Sequence, residues 1–141
     1  MKQELVSDWM TKRVITITPE TSLKEAHEIM NKKGFRRLPV VHHGKVIGIV
    51  TLGDIRGAEP SKASSLSVWE MNDLLANIKV TDIMTRNPGT IQQTASVGDA
   101  AKIMLEKKFS GLPVVDEIDN LVGIITESDI FRLVVNEWHK D

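Results

Sequence analysis

The sequence has no cysteine and no tyrosine, and only three phenylalanines and three tryptophans. Without cysteine there can be no disulfide, no thiolate metal site and no thiol nucleophile, and a reducing compartment is unopposed. So few aromatics argue against a stacking surface for single-stranded nucleic acid. Neither sign of charge is in excess: 18 basic residues against 19 acidic ones leave a formal net charge of −1. The concentrated basic field that holds nucleic acid or an anionic membrane is therefore missing. No apolar run approaches the length of a membrane span, and the opening MKQELVSDWM carries no apolar signal core. The expectation is a soluble cytoplasmic protein. There is no P-loop and no recognisable nucleophile–base pair. His42 and His43 fall in a turn without a second cluster at metal spacing, and His27 and His139 have no acid or nucleophile partner in sequence. Neither a metal site nor an enzyme is expected.

What is present is a duplication. With a hydrophobic fraction of 41%, the 141 residues can bury the core of one ordinary domain or of two very small ones sharing a core. Shifted by 74 positions, the first half lies on the second. Val6, Asp8, Met10 and Thr11 fall on Val80, Asp82, Met84 and Thr85, and Ser22, Ala26, Ile29 and Met30 on Ser96, Ala100, Ile103 and Met104. Phe35 and Leu38-Pro39-Val40-Val41 meet Phe109 and Leu112-Pro113-Val114-Val115. After a one-residue insertion, Gly48, Thr51, Asp54 and Ile55 meet Gly123, Thr126, Asp129 and Ile130. A match this dense fixes two repeats, at residues 1–56 and 80–141, with a linker at 57–79.

Each repeat reads as β-α-β-β-α. A short β-branched run comes first, Val14–Ile17 and more weakly Thr90–Ile91. Ser22-x-x-Glu25 and Ser96-x-x-Asp99 then start helices with one apolar face, and Gly34 stands where a left-handed cap closes the first. Leu-Pro-Val-Val, a polar turn and a second strand follow, and the closing helix begins at or just after the Thr of Thr-x-x-Asp. Gly48 and Gly123 interrupt equivalent strands, which implies close approach of a neighbouring strand or a ligand. In the linker, residues from Gly57 onward read as a loop, and Ser67 caps a short amphipathic helix carrying Val68, Met71, Leu74, Leu75 and Ile78. The fold class expected is α+β: two β-α-β-β-α repeats packed through their sheets with pseudo-two-fold symmetry. Trp9, Trp69 and Trp138 fit cover or dimer contacts, Trp138 above all.

Thr51…Asp54 and Thr126…Asp129 admit two readings. Ser/Thr-x-x-Asp/Glu at a strand-to-helix corner is an ordinary N-terminal cap. The same corner also suits a nucleotide, since unsatisfied N–H groups and a hydroxyl favour an anion while a carboxylate accepts from the cis-diol of a ribose.

The ordered set V-x-D-I/W-M-T, L-P-V-V and G-I-V/I-T-x-x-D, repeated across nearly the whole chain, resembles a pair of CBS domains, a Bateman module. The stretch SLSVWEMNDLL resembles the segment between repeats in CBS proteins of the acetoin-utilisation type. The resemblance implies a regulatory module that binds adenosine ligands (AMP, ADP or ATP, alternatively S-adenosylmethionine or NAD(H)) in two clefts between repeats, and that forms a homodimeric disc. Each cleft takes its base slot from one repeat and its Thr-x-x-Asp from the other. Carried over by position, Thr18, Pro19, Leu23, Phe35 and Arg36 would serve the base with Thr126 and Asp129 on ribose and phosphate. Gln92, Val97, Phe109 and Ser110 would serve it with Thr51 and Asp54. Arg36 and Arg37 stand where the family places phosphate-binding cations, bidentate partners for a phosphate; Ser110-Gly111, in the second repeat, cannot neutralise one. The resemblance thus implies unequal clefts, no required cofactor beyond the regulatory ligand, and a regulated protein partner that the sequence does not name. The alternative is a ligand-free dimerisation or interaction module in which Thr-x-x-Asp only caps.

Overall fold

A computed structural model of the chain describes residues 4–59 and 65–139. It contains two three-stranded sheets with helices, the mixed fold class expected. The chain divides into two compact units: Ile15–Asn87, and Pro88–Asp141 together with Met1–Val14. We call them the first-repeat and second-repeat units.

In the first-repeat unit, Ser22 caps helix α2 (Leu23–Lys33) by accepting from the Glu25 N–H at 3.1 Å. Gly34 closes it in the left-handed conformation at φ 75°. Strands β1 (Arg37–His42) and β2 (Lys45–Thr51) form an antiparallel hairpin. Its turn residues His43 and Gly44 both have positive φ, 52° and 79°, which suits a two-residue turn matched to strand twist. Helix α3 (Leu52–Ala58) follows, then α4 (Val68–Asn77), capped by Ser67 and inserting Leu75 into the core. After a 3-10 turn (Val80–Asp82), strand β3 (Thr85–Arg86) adds to the far side of β2. The core gathers Leu23, Ala26 and Met30 of α2 against Leu38, Val40, Val50 and Ile55.

The second-repeat unit is built alike. Helix α1 (Val6–Trp9) precedes strand β4 (Ile91–Gln92), which pairs parallel with β5 (Gly111–Val115). Strand β6 (Leu121–Thr126) pairs antiparallel with β5 and leads into α6 (Glu127–Trp138). Between β4 and β5, Ser96 caps α5 (Val97–Lys107), accepting from the Asp99 N–H at 3.0 Å. No glycine is available at the C-terminus of α5; Lys108 takes the left-handed cap instead, at φ 59°.

The compact units are therefore not the contiguous repeats. Each takes the segment preceding its first strand from the other copy. Thr85 pairs with Ile49, and Thr11 makes the equivalent bridge to Ile124, with N···O distances of 2.8 and 3.0 Å. Val80 and Val6, both wholly buried, fill matching places in the two cores. This arrangement explains Gly48 and Gly123. A Cβ at Gly48 would stand 2.9 Å from Met84 Cγ and 3.1 Å from the Thr85 carbonyl oxygen. At Gly123 it would stand 3.0 Å from Met10 Cγ and 2.9 Å from the Thr11 oxygen. The close approach expected at both glycines comes from the neighbouring strand, with a methionine laid over each.

Two local expectations change. The run Val14–Ile17 reduces to a single parallel bridge, Ile17 to Val40, while the weaker Thr90–Ile91 lies at a true two-residue strand. Pairing stops after Ile17 because Thr18 turns at once: its N–H donates to Thr21 Oγ1 at 3.1 Å, and its carbonyl accepts from the Thr21 N–H. Gly57 and Ala58 are helical, not loop, because buried Ile55 anchors α3 and its carbonyl still accepts from the Glu59 N–H. The rest of the proposed loop, 60–64, lies outside the described residues.

Candidate functional site: two carboxylate corners

Each Thr-x-x-Asp stands where a strand hands over to a helix. At the first corner, Thr51 ends β2 and caps α3. Its N–H donates to Asp54 Oδ2 at 2.9 Å, and its hydroxyl oxygen accepts from the Asp54 N–H at 3.1 Å. The capping box is reciprocal, so the ordinary reading is realised. Yet it uses only one carboxylate oxygen; Asp54 Oδ1 accepts no hydrogen bond from the described residues. The two arginines belong to this corner. The Arg36 carbonyl accepts from the Leu52 N–H at 2.8 Å, and Arg37 pairs in register with Thr51. The Arg36 side chain is exposed.

The second corner repeats the backbone and changes the chemistry. The Ser110 carbonyl accepts from the Glu127 N–H at 3.1 Å, and Gly111 pairs with Thr126. The Thr126 N–H donates to Asp129 Oδ2 at 2.8 Å, with the Thr126 hydroxyl 3.3 Å from the same oxygen. The other oxygen, Oδ1, accepts from Arg132 Nη1 at 3.1 Å. Asp129 is buried, its side chain only 5% exposed, whereas Asp54 is half-buried. Arg132 escaped the sequence reading, although Asp and Arg three apart on a helix is a recognised pairing distance.

The base-slot candidates scatter more. Thr18 and Gln92 are exposed, and Pro19 is half-buried. Leu23 and Val97 lie inside their cores at 0% and 2% exposure. Phe35 and Phe109, equivalent by the repeat, are both partly exposed aromatics. Phe109 lies over Gly89, where a Cβ would come 2.8 Å from its ring. The first repeat has Ile15 at the equivalent position.

Among the described residues no three or more His, Asp or Glu gather as metal ligands would. The His42 and His43 rings stack obliquely at 4.0 Å across their turn, and His27 Nδ1 lies 3.8 Å from Glu59 Oε1. No helix among the described residues is long and apolar enough to cross a membrane.

The CBS-domain family model matches residues 6–61 and 80–136, most of the chain and both repeats. The protein belongs to the CBS-domain family. A CBS domain-containing protein of Dictyostelium discoideum is 36% identical over 93% of this chain and 91% of its own. Two Methanocaldococcus jannaschii proteins are 36% and 33% identical, and the chain spans 43% and 47% of their length. Among solved structures, the CBS pair of protein MJ0100 in complex with 5'-methylthioadenosine and S-adenosylmethionine is similar with a TM-score of 0.79. It is 36% identical and covers 96% of this chain and 99% of that one. CBSX2, a protein of Arabidopsis thaliana, was solved in complex with AMP. It has a TM-score of 0.83 at 29% identity, covering 96% of this CBS chain and 99% of its own.

Proposed function

We propose that this CBS pair is a non-catalytic sensor of an adenosine ligand that changes the activity of a partner protein. The observation that carries the reading is the free Oδ1 of Asp54. In a reciprocal capping box one carboxylate oxygen suffices, and the second stands ready for a sugar hydroxyl at a corner whose backbone also carries Arg36, its side chain exposed. Asp54 and Asp129 are assigned to ribose, Thr51 and Thr126 to the adjoining phosphate, and Arg36 and Arg37 to phosphate charge. Thr18, Pro19, Phe35, Gln92 and Phe109 line the base slots, with Ser110 a neutral counterpart of Arg36. The bound states of MJ0100 and CBSX2 support the adenosine class. A ligand of this kind acts by binding one conformation more tightly than another, and the shift it causes is bounded by that difference.

A second reading, an interaction module, is favoured by the outer face of α6. Phe131, Val135 and Trp138 follow helical spacing and are 64%, 56% and 80% exposed. The two readings are compatible in a homodimer. Melting in the presence of AMP, ADP, ATP or S-adenosylmethionine tests the first. A ligand at a hundred times its dissociation constant stabilises the native state by about 2.7 kcal/mol. Unchanged melting with all four at millimolar concentration overturns the sensor reading and leaves the interaction module.

A further inference from the structure

The two corners are copies of one motif, so a difference between them isolates a cause. Both aspartates give Oδ2 to the N–H of the capping threonine, at 2.9 and 2.8 Å. They differ at Oδ1. Among the described residues that oxygen has no partner on Asp54 and is held by Arg132 at 3.1 Å on Asp129. The repeat places Gly57 opposite Arg132, and a Cβ there would meet nothing within 4 Å. At the helix position equivalent to Arg132 the first corner thus carries no side chain. The geometry points to Arg132 as an internal lock on Asp129: it occupies the carboxylate that would take a ribose and makes the second corner the weaker nucleoside site.

This inference rests on the sensor reading and adds which corner fills first and what decides it. Both a guanidinium and a sugar hydroxyl would make a charge-assisted hydrogen bond to the carboxylate, but the guanidinium adds a full opposite charge. A hydroxyl must therefore displace Arg132 or accept what little of Asp129 remains exposed. Displacement has somewhere to go. Arg132 borders an open hollow of about 580 Å³ that it shares with Trp9, Phe131 and Asn136 of the same unit. Its side chain is 62% exposed, so only the ion pair holds it over the carboxylate. Swung aside, Arg132 leaves Asp129 Oδ1 without its guanidinium partner, as Asp54 Oδ1 is without one among the described residues.

Calorimetry with AMP, and separately with phosphate-free adenosine, tests this on the wild type, Arg132→Ala, Arg132→Lys and Asp54→Asn. The wild type should show one strong site per chain and one at least tenfold weaker. Arg132→Ala should strengthen the weak site severalfold for both probes and leave the strong site unchanged. Arg132→Lys, with a single-point cation in place of the fork, should fall between. Asp54→Asn should remove the strong site and keep the weak one. Two equal wild-type sites overturn the lock, as does a weak site indifferent to Arg132→Ala. So does a loss in Arg132→Ala larger for AMP than for adenosine, which would make Arg132 a phosphate ligand. Failure of the sensor reading looks different: neither probe binds the wild type or any variant, although all four melt cooperatively.

Discussion

Replacing Gly123 by alanine puts the exchange of N-terminal segments to a quantitative test. The new methyl group would stand 2.9 Å from the Thr11 carbonyl oxygen and 3.0 Å from Met10 Cγ. The methionine can rotate away, but the carbonyl cannot. Thr11 is clamped to Ile124 through both its N–H and its C=O, at 2.8 and 3.0 Å, so its retreat stretches two hydrogen bonds. Overpacking of this kind costs about 1–3 kcal/mol. Removing glycine's freedom from the unfolded chain returns about 0.4–1 kcal/mol. Strain wins, and Gly123→Ala should lose on the order of 1–2 kcal/mol, or about 2–4 °C of melting temperature per kcal/mol. Gly48→Ala should lose less, because its closest backbone neighbour, the Thr85 oxygen, is 3.1 Å away and the tighter contacts are with the flexible Met84. Urea denaturation followed by tryptophan fluorescence measures both, at constant m-value. Equal stability of Gly123→Ala and wild type, or a greater loss at Gly48, would refute the placement of residues 10 and 11 against β6.

Lys108 holds a left-handed C-cap that costs a non-glycine residue about 1–2 kcal/mol, against about 0.5–1 kcal/mol for glycine's extra entropy. Lys108→Gly should therefore stabilise the protein by about 0.5–1 kcal/mol in the same denaturation assay, while glycine at an ordinary helical position destabilises. Glu20 accepts from Lys79 Nζ at 2.7 Å; this hydrogen bond and the ammonium charge hold its carboxyl below the usual range and hold the Lys79 amine above its own. The depressed carboxyl gives its stabilisation above the unfolded-state value and loses it as pH falls through the folded one; the raised amine loses its share only as pH rises past its folded value. NMR titration should find Glu20 ionising at unusually low pH, and Lys79→Ala should return it to the ordinary range. Both groups are exposed, so the accompanying stability change should be small and should weaken with salt.

The elements most legible in the sequence are those whose signals are local. Ser22, Ser67 and Ser96 announce helix starts through their own hydroxyls, and each accepts the N–H three residues on. Gly48 and Gly123 signalled close approach because a missing side chain is visible in one dimension. What approached them was not visible, since it is set by pairings between residues distant in sequence, Ile49 with Thr85 and Thr11 with Ile124. The same non-locality hid the composition of the two compact units. The length of the first strand misled because β-branched content was weighed and the turn at Thr18–Thr21 was not. At the candidate site, the motif located both aspartates, but a motif cannot say which carboxylate oxygen is free. On Asp129 the second oxygen is taken by Arg132, a side chain lying just past the motif's end.

If these carboxylates read a ribose, AMP and 2'-deoxy-AMP bind with different affinities. Affinities of both nucleotides are measured calorimetrically on the wild type and on Asp54→Asn, the substitution that best preserves the helix cap. A site built to pair a sugar hydroxyl discriminates against an analogue lacking it, because the acceptor, screened from water by the bound nucleotide, is left without a partner. The strong site of the wild type should bind AMP at least tenfold more tightly than the deoxynucleotide, and Asp54→Asn should lose that site, leaving only the weak one. Equal affinities for the two nucleotides at the strong site of the wild type, or a strong AMP-preferring site that survives Asp54→Asn intact, would contradict the account.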